Sequence, residues 1–121
     1  MSNKNTLILG ASDNPSRYSY LAINALQSKG HHITAIGKRK GKVGIIEIET
    51  EKKEIEDLDT VTLYLNPDNQ KQYYDYILSL HPKRIIFNPG AENQELMSLA
   101  DKEGIQTQEA CTLVLLSTGQ Y

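Results

Sequence analysis

The sequence predicts a doubly wound α/β fold: a parallel sheet of about five strands with helices on both faces, a three-layer α/β/α arrangement in a single domain. Three observations carry this expectation. Leu7-Ile8-Leu9 and Ile85-Ile86-Phe87 are unbroken apolar runs and Val61 to Leu65 is rich in apolar residues, as strands covered on both faces should be. Stretches with helical apolar spacing alternate with these strands. Turn residues stand at the carboxyl end of each: Gly10, Asn66-Pro67 and Asn88-Pro89-Gly90. At 121 residues the chain has room for one sound core but not for a cofactor domain joined to a separate substrate domain.

Taken in order, Thr6 to Leu9 makes the first strand, and Gly10 lets the backbone turn sharply at its end. Tyr18, Leu21, Ala22, Ala25 and Leu26 then recur with the spacing of one helical stripe, which Gly30 terminates. His32 to Gly37 supplies a second strand through Ile33, Ala35 and Ile36. Lys38-Arg39-Lys40-Gly41-Lys42 packs four positive charges into five residues at its end. Gly44 to Ile48 is expected as a short edge strand, and the charged stretch Glu49 to Asp59 as a surface loop with a turn of helix.

Val61 to Leu65 is the next buried strand. Asn66 suits the N-cap of the helix after it, Pro67 its first position and Asp68 the positive end of its dipole, with Tyr74, Ile77 and Leu78 on the buried face. The unit repeats: the strand Ile85 to Phe87, the turn Asn88-Pro89-Gly90, and a helix marked by Leu96, Leu99 and Ala100 that ends at Gly104. Ile105 to Gln108 reads as a last short strand. Ala110 to Leu116 reads as a short C-terminal helix, although periodicity alone does not separate helix from strand there. Right-handed crossovers would bring the loops at 10 to 15, 37 to 42, 66 to 67 and 88 to 90 to one crevice.

Composition narrows the function. A formal charge of −2 gives no general attraction to nucleic acid or to an anionic membrane. Met1-Ser2-Asn3-Lys4 lacks a leader pattern, and no apolar stretch approaches the roughly 20 residues of a spanning helix, so a cytoplasmic location is expected. Cys111 stands alone, without a CxxC partner, and is expected to be a small buried hydrophobe. His31 and His32 precede a strand at the end away from the crevice and His81 precedes Pro82 in a connection, so all three are expected at the surface, and none as a phosphoryl carrier. No Cys/His group has metal-ligand spacing and no Ser-His-acid order is present, while Glu92 and Glu95 suit the start of a helix without any acid-base role. No catalytic residue is therefore expected.

The turn Gly10-Ala11-Ser12-Asp13-Asn14-Pro15 is a candidate anion site, because free backbone N–H groups and the positive end of the next helix converge after a strand of this kind. It is not the dinucleotide fingerprint, since Ser12 and Pro15 stand where that pattern requires glycine. A bare strand-to-helix turn would use Gly10 equally well. A phospho-receiver would need clustered acids at the strand ends, and only Asp13 follows the first strand. An NAD site wants an acidic residue after the second strand, but Gly37-Lys38-Arg39 stands there. Such a basic pair, with Arg17 beside it, suits a phosphate on the adenosine ribose, as in NADP or coenzyme A; a solvated lysine-rich loop would look the same.

With these residues the chain resembles the small stand-alone CoA-binding proteins, similar to the CoA-binding domain of succinyl-CoA ligase and ADP-forming acyl-CoA ligases. The resemblance spans nearly the whole chain. It rests on Gly10-Ala11-Ser12, Asn14-Pro15 and Arg17-Tyr18-Ser19, on Gly41, Val43 and Gly44, and on Asn88-Pro89-Gly90-Ala91-Glu92. Many relatives carry Val-Asn-Pro where this chain has Ile36-Gly37-Lys38, and a glutamine-containing turn in place of Asn88-Pro89-Gly90. The resemblance implies a Rossmann-like CoA-binding domain over residues 1–121. Its Gly10-Ala11-Ser12 turn would approach the pyrophosphate, Arg17 and the Gly37-Lys38-Arg39 loop would hold the nucleotide end, and Asn66, Pro67, Asn88, Pro89 and Gly90 would close the crevice. Asn14 and Tyr18 belong to the same implied binding set. The expected activity is non-catalytic binding of coenzyme A or an acyl-CoA, as a ligand rather than a catalytic cofactor. The ligases' phosphorylated histidine and nucleotide-grasp module lie on other segments of larger chains. An NADP-binding small reductase and an accessory subunit of an acyl-CoA ligase are the alternatives, and a protein partner or homo-oligomer stays open.

Overall fold

Leu7 and Leu9 face one way and Ile8 the other, and all three are completely buried, which places β1 (Thr6–Leu9) at the centre of a sheet covered on both faces. The computed structural model describes residues 3–121, so Met1 and Ser2, part of the stretch read above as leaderless, lie outside the described residues. The other strands are β2 (Ile33–Ile36), β3 (Gly41–Val43), β4 (Ile46–Glu49), β5 (Thr60–Leu63), β6 (Arg84–Phe87) and β7 (Gln106–Glu109). They form one seven-stranded sheet in the order β3-β4-β2-β1-β5-β6-β7. Every neighbouring pair is parallel except β3 with β4.

Helices α1 (Tyr18–Ser28), α2 (Pro67–Gln70), α3 (Tyr74–Ser79), α4 (Gln94–Lys102) and α5 (Thr112–Ser117) complete the layers. Leu7, Leu9, Val61, Leu63, Ile85 and Phe87 pack with Ile77, Leu96 and Ala100 from α3 and α4 on one face. Ile8, Ala35 and Ile48 pack with Ile23 and Leu26 of α1 and Leu116 of α5 on the other. Each fully buried Leu, Ile or Phe contributes roughly 1.5–3 kcal/mol, so this double-sided burial dominates the stability.

The doubly wound α/β class is as predicted, but the strand count is higher. The second half of the basic loop, Gly41-Lys42-Val43, folds back antiparallel on Ile46–Ile48 through the turn at Gly44, whose φ is +61°. The strand expected at the edge is therefore interior, with β4 pairing in parallel with β2 and β3 taking the edge. Three residues that include a glycine and a lysine carry too short a pattern to announce a strand.

The face of α1 also differs from the expected stripe. Ser19, Ala22, Ile23 and Leu26 are buried, whereas Tyr18 is 71% and Leu21 43% exposed. Ile23 outcompetes Leu21 for the sheet, and Tyr18 stands in the first turn beside a cleft rather than over the core. The helix expected after Asn66 is broken by a 3-10 turn over Lys71–Tyr73, though its start is as predicted: Asn66 Oδ1 accepts from the Asn69 N–H at 2.9 Å. Cys111 is half-buried at the start of α5 instead of fully enclosed. His32 and His81 are exposed, but His31 is half-buried, because its Nδ1 accepts the Lys4 N–H at 2.9 Å and its ring packs 5.0 Å from that of Tyr121. Burial, then the neighbouring Lys4 and Arg84 charges, hold its pKa below the usual histidine value.

Candidate functional site

From β1 the chain crosses to β2 on one side and later returns to β5 on the other, so the connections leave in opposite directions and a crevice opens at the carboxyl ends of β1 and β5. A cleft of about 660 Å³ occupies this switch point, a size that suits a small organic ligand. Its walls are Gly10 to Asp13 after β1, Ser16 to Ser19 at the start of α1, Lys38 and Arg39 after β2, Tyr64, Leu65, Asn66 and Asn69 after β5, and Pro89 and Gly90 after β6.

Ten of the residues read from the sequence as a binding set thus meet in one place: Gly10, Ala11, Ser12, Arg17, Tyr18, Lys38, Arg39, Asn66, Pro89 and Gly90. Asn14, Gly37, Pro67 and Asn88 are not on the wall. Asn14 braces the turn, its Oδ1 accepting from the Ser16 N–H at 3.0 Å and the Ser16 hydroxyl at 2.8 Å. Gly37 is buried beneath Ala11. Asn88 points inward: its Nδ2 donates to Thr62 Oγ1 at 2.7 Å and to the Leu63 carbonyl at 2.9 Å, and its Oδ1 accepts the Thr112 N–H at 2.8 Å, which pins the ends of β5, β6 and α5 together.

Sequence reasoning did not place Ser16, Ser19, Tyr64, Leu65 or Asn69 on the wall. Tyr64 and Leu65 read as strand but follow the last paired residue of β5, Leu63. The Asn66 cap places Asn69 on the first turn of α2, a signal that was there to be used.

The backbone of the turn is only partly available to a ligand. The Gly10 and Ala11 N–H groups both donate to the Ile36 carbonyl at 3.0 Å, which ties the turn to β2. The next two, of Ser12 and Asp13, have no acceptor among the described residues. Arg17 is the N-cap of α1 in extended conformation with no side-chain cap bond, so the N–H groups of Tyr18 and Ser19, both on the cleft wall, have no acceptor among the described residues. An anion placed there would meet free donors and the positive end of the helix. Arg17, Lys38 and Arg39 add three exposed cations, none in an ion pair among the described residues, against the single carboxylate of Asp13.

Tyr64 forms a drier part of the wall. Burial pushes its phenol up to about 12. Thr62 and Thr112 lie near enough to offset part of that rise, but they bond to each other at 2.8 Å, and the phenol oxygen has no hydrogen bond among the described residues. The raised value has a signed consequence. An unfolded tyrosine ionises near pH 10, so the contribution of Tyr64 is fully present below about pH 10 and lost between about 10 and 12, roughly 2–3 kcal/mol in all. Tyr64→Phe should move the midpoint of alkaline unfolding, followed by circular dichroism, to higher pH; an unmoved midpoint would mean that the phenol is hydrated.

Among the described residues no three His, Cys, Asp or Glu side chains could hold a metal ion, and no helix is long and apolar enough to cross a membrane.

The sheet order and the crevice at its switch point define a Rossmann-like α/β protein. A family profile described as a CoA binding domain matches residues 4–117, and the chain belongs to that family. It is similar, at 50% identity over 100% of both chains and a TM-score of 0.96, to a crystal structure of an uncharacterized protein. Two more distant structures share the fold. A hypothetical protein from Pyrococcus horikoshii OT3 is 19% identical with a TM-score of 0.85, over 96% of this chain and 83% of that one. A protein from Thermus thermophilus is 18% identical with a TM-score of 0.82, over 98% and 91%. A search of curated proteins returns no match.

Proposed function

We propose that the cleft binds coenzyme A or an acyl-CoA and performs no chemistry on it. In this reading the pyrophosphate sits on the Ser12 and Asp13 N–H groups and the first turn of α1, with Gly10 and Ala11 holding the turn in place. Arg17, Lys38 and Arg39 meet the phosphate on the adenosine ribose, and Asn66, Pro89 and Gly90 form the opposite wall. The observation that carries the reading is the start of α1 without a side-chain cap, which opens, with three cations unpaired among the described residues, onto one cleft in a member of a CoA-binding family.

A thermal-shift panel tests it. A ligand at 100 times its Kd stabilises the native state by about 2.7 kcal/mol, which for a domain of this size raises the Tm by on the order of 10 °C. CoA or an acyl-CoA should produce that shift and NAD should not. NADP is the informative control, because a basic loop also suits its ribose phosphate. A shift with NADP and none with any CoA species would replace this reading by that of a small NADP-binding protein.

A further inference from the structure

Beneath the cleft, one buried amide joins two of its walls. Gln70, the last residue of α2, is polar yet completely buried. Its Nε2 donates to the Leu65 carbonyl at 2.8 Å and to the Ala91 carbonyl at 2.7 Å, and its Oε1 accepts from Asn93 Nδ2 at 2.9 Å. Two carbonyls can only accept, so these partners leave the amide a single sensible orientation. Leu65 belongs to the wall after β5, and Ala91 directly follows the Gly90 lip after β6.

The sheet cannot hold those walls together. Pairing of β5 with β6 ends at Leu63 and Phe87, after which one strand leads into α2 and the other toward α4. Among the described residues, every hydrogen bond between segments 64–70 and 89–93 involves Gln70, and neither bridged carbonyl has another donor. The bridge is itself braced. Asn93 Oδ1 caps α4 by accepting the Leu96 N–H at 3.1 Å, and its Nδ2 also reaches the Tyr74 hydroxyl at 2.9 Å.

We propose that Gln70 is a positioning residue for the ligand of this cleft: without being on its wall, it sets the separation between Leu65-Asn66 and Pro89-Gly90. The inference rests on the reading of the cleft as a CoA site. A buried, fully bonded amide of this kind holds one spacing, because any other leaves donors or acceptors unsatisfied.

Gln70→Glu tests it, since the shape is kept while the double donor is replaced by a carboxylate facing two carbonyl oxygens. Protonation would return one donor. CoA affinity relative to wild type, measured by calorimetry below both melting temperatures, should be down about tenfold near pH 8 and recover as the pH falls toward about 5.5, where a buried carboxyl takes up its proton. Measuring wild type at each pH cancels the titration of the ligand's phosphates. A purely structural role would lower the Tm and leave the affinity ratio flat, which would overturn the inference. If the Glu variant does not fold, Asn93→Asp takes its place, because it keeps the acceptor that caps α4 and removes the Nδ2 donor to Gln70 and to the Tyr74 hydroxyl. Its CoA affinity should fall about threefold to tenfold, and an unchanged affinity would overturn the inference. Absence of CoA binding by the wild type overturns the CoA reading and this inference with it, whereas binding with a flat ratio overturns this inference alone.

Discussion

Gly37→Ala should lower the Tm by on the order of 10 °C, a loss of about 3 kcal/mol, although it adds one methyl group at an ordinary φ. Gly37 is buried, and a Cβ built there runs into the Ala11 carbonyl oxygen and lies 3.2 Å from Ile48 Cγ2. Neither neighbour can step aside. Ala11 is tied to β2 by its own N–H and that of Gly10, both on the Ile36 carbonyl at 3.0 Å, while the Gly37 N–H donates to the Glu49 carbonyl at 2.9 Å. The methyl must therefore lift the turn off β2 or part β2 from β4. Gly90→Ala is the matched control: its φ is +93° and nothing lies within 4 Å of the added Cβ, so it should cost only about 1 kcal/mol, the price of a left-handed backbone. Thermal denaturation of both variants gives the comparison. Equal losses would mean that Ala11 does not pack on Gly37 as described.

The second large effect is on ligand recognition. Arg17→Ala, Lys38→Ala and Arg39→Ala should each weaken CoA binding by about tenfold to a hundredfold wherever the side chain meets the 3′-phosphate, since a hydrogen bond to a charged group contributes roughly 1.5–3 kcal/mol. All three are exposed, so folding should be nearly unchanged. Calorimetric titration with CoA and with dephospho-CoA, which lacks that phosphate, separates a contact from a field. A true contact leaves its variant almost indifferent between the two ligands. A general field weakens both alike and fades as salt rises. Full retention of the preference for CoA by all three variants would make Lys38-Arg39 a solvated loop and move the ribose phosphate elsewhere.

Gly10 lines the cleft and is at the same time a joint of the fold. Its φ is +92°, and a Cβ there lies 3.1 Å from the backbone of Tyr64 and Leu65, so the glycine serves the joint between β1 and β5. Among the described residues the free donors of the turn begin two residues later, at Ser12. Asn88 is a joint of the same kind: its position in a strand-end turn was legible, but its three bonds into β5 and α5 depend on residues 24 to 26 positions away in sequence.

By itself the sequence determined the doubly wound class, the order of the main elements and the gathering of four strand-end loops at one crevice. Those follow from signals a few residues long: the apolar run of β1, the Asn66-Pro67 helix start and the turn residues after each buried strand. Only the tertiary structure decided which face of α1 is buried, that Gly41-Lys42-Val43 pairs as an edge strand, that Ile36 takes up the N–H groups of Gly10 and Ala11, and that Gln70 ties two walls together. Each of these is a choice of partner between segments distant along the chain. A local pattern states that a group must be buried or bonded, while packing and the geometry of the assembled sheet select the atom that does it.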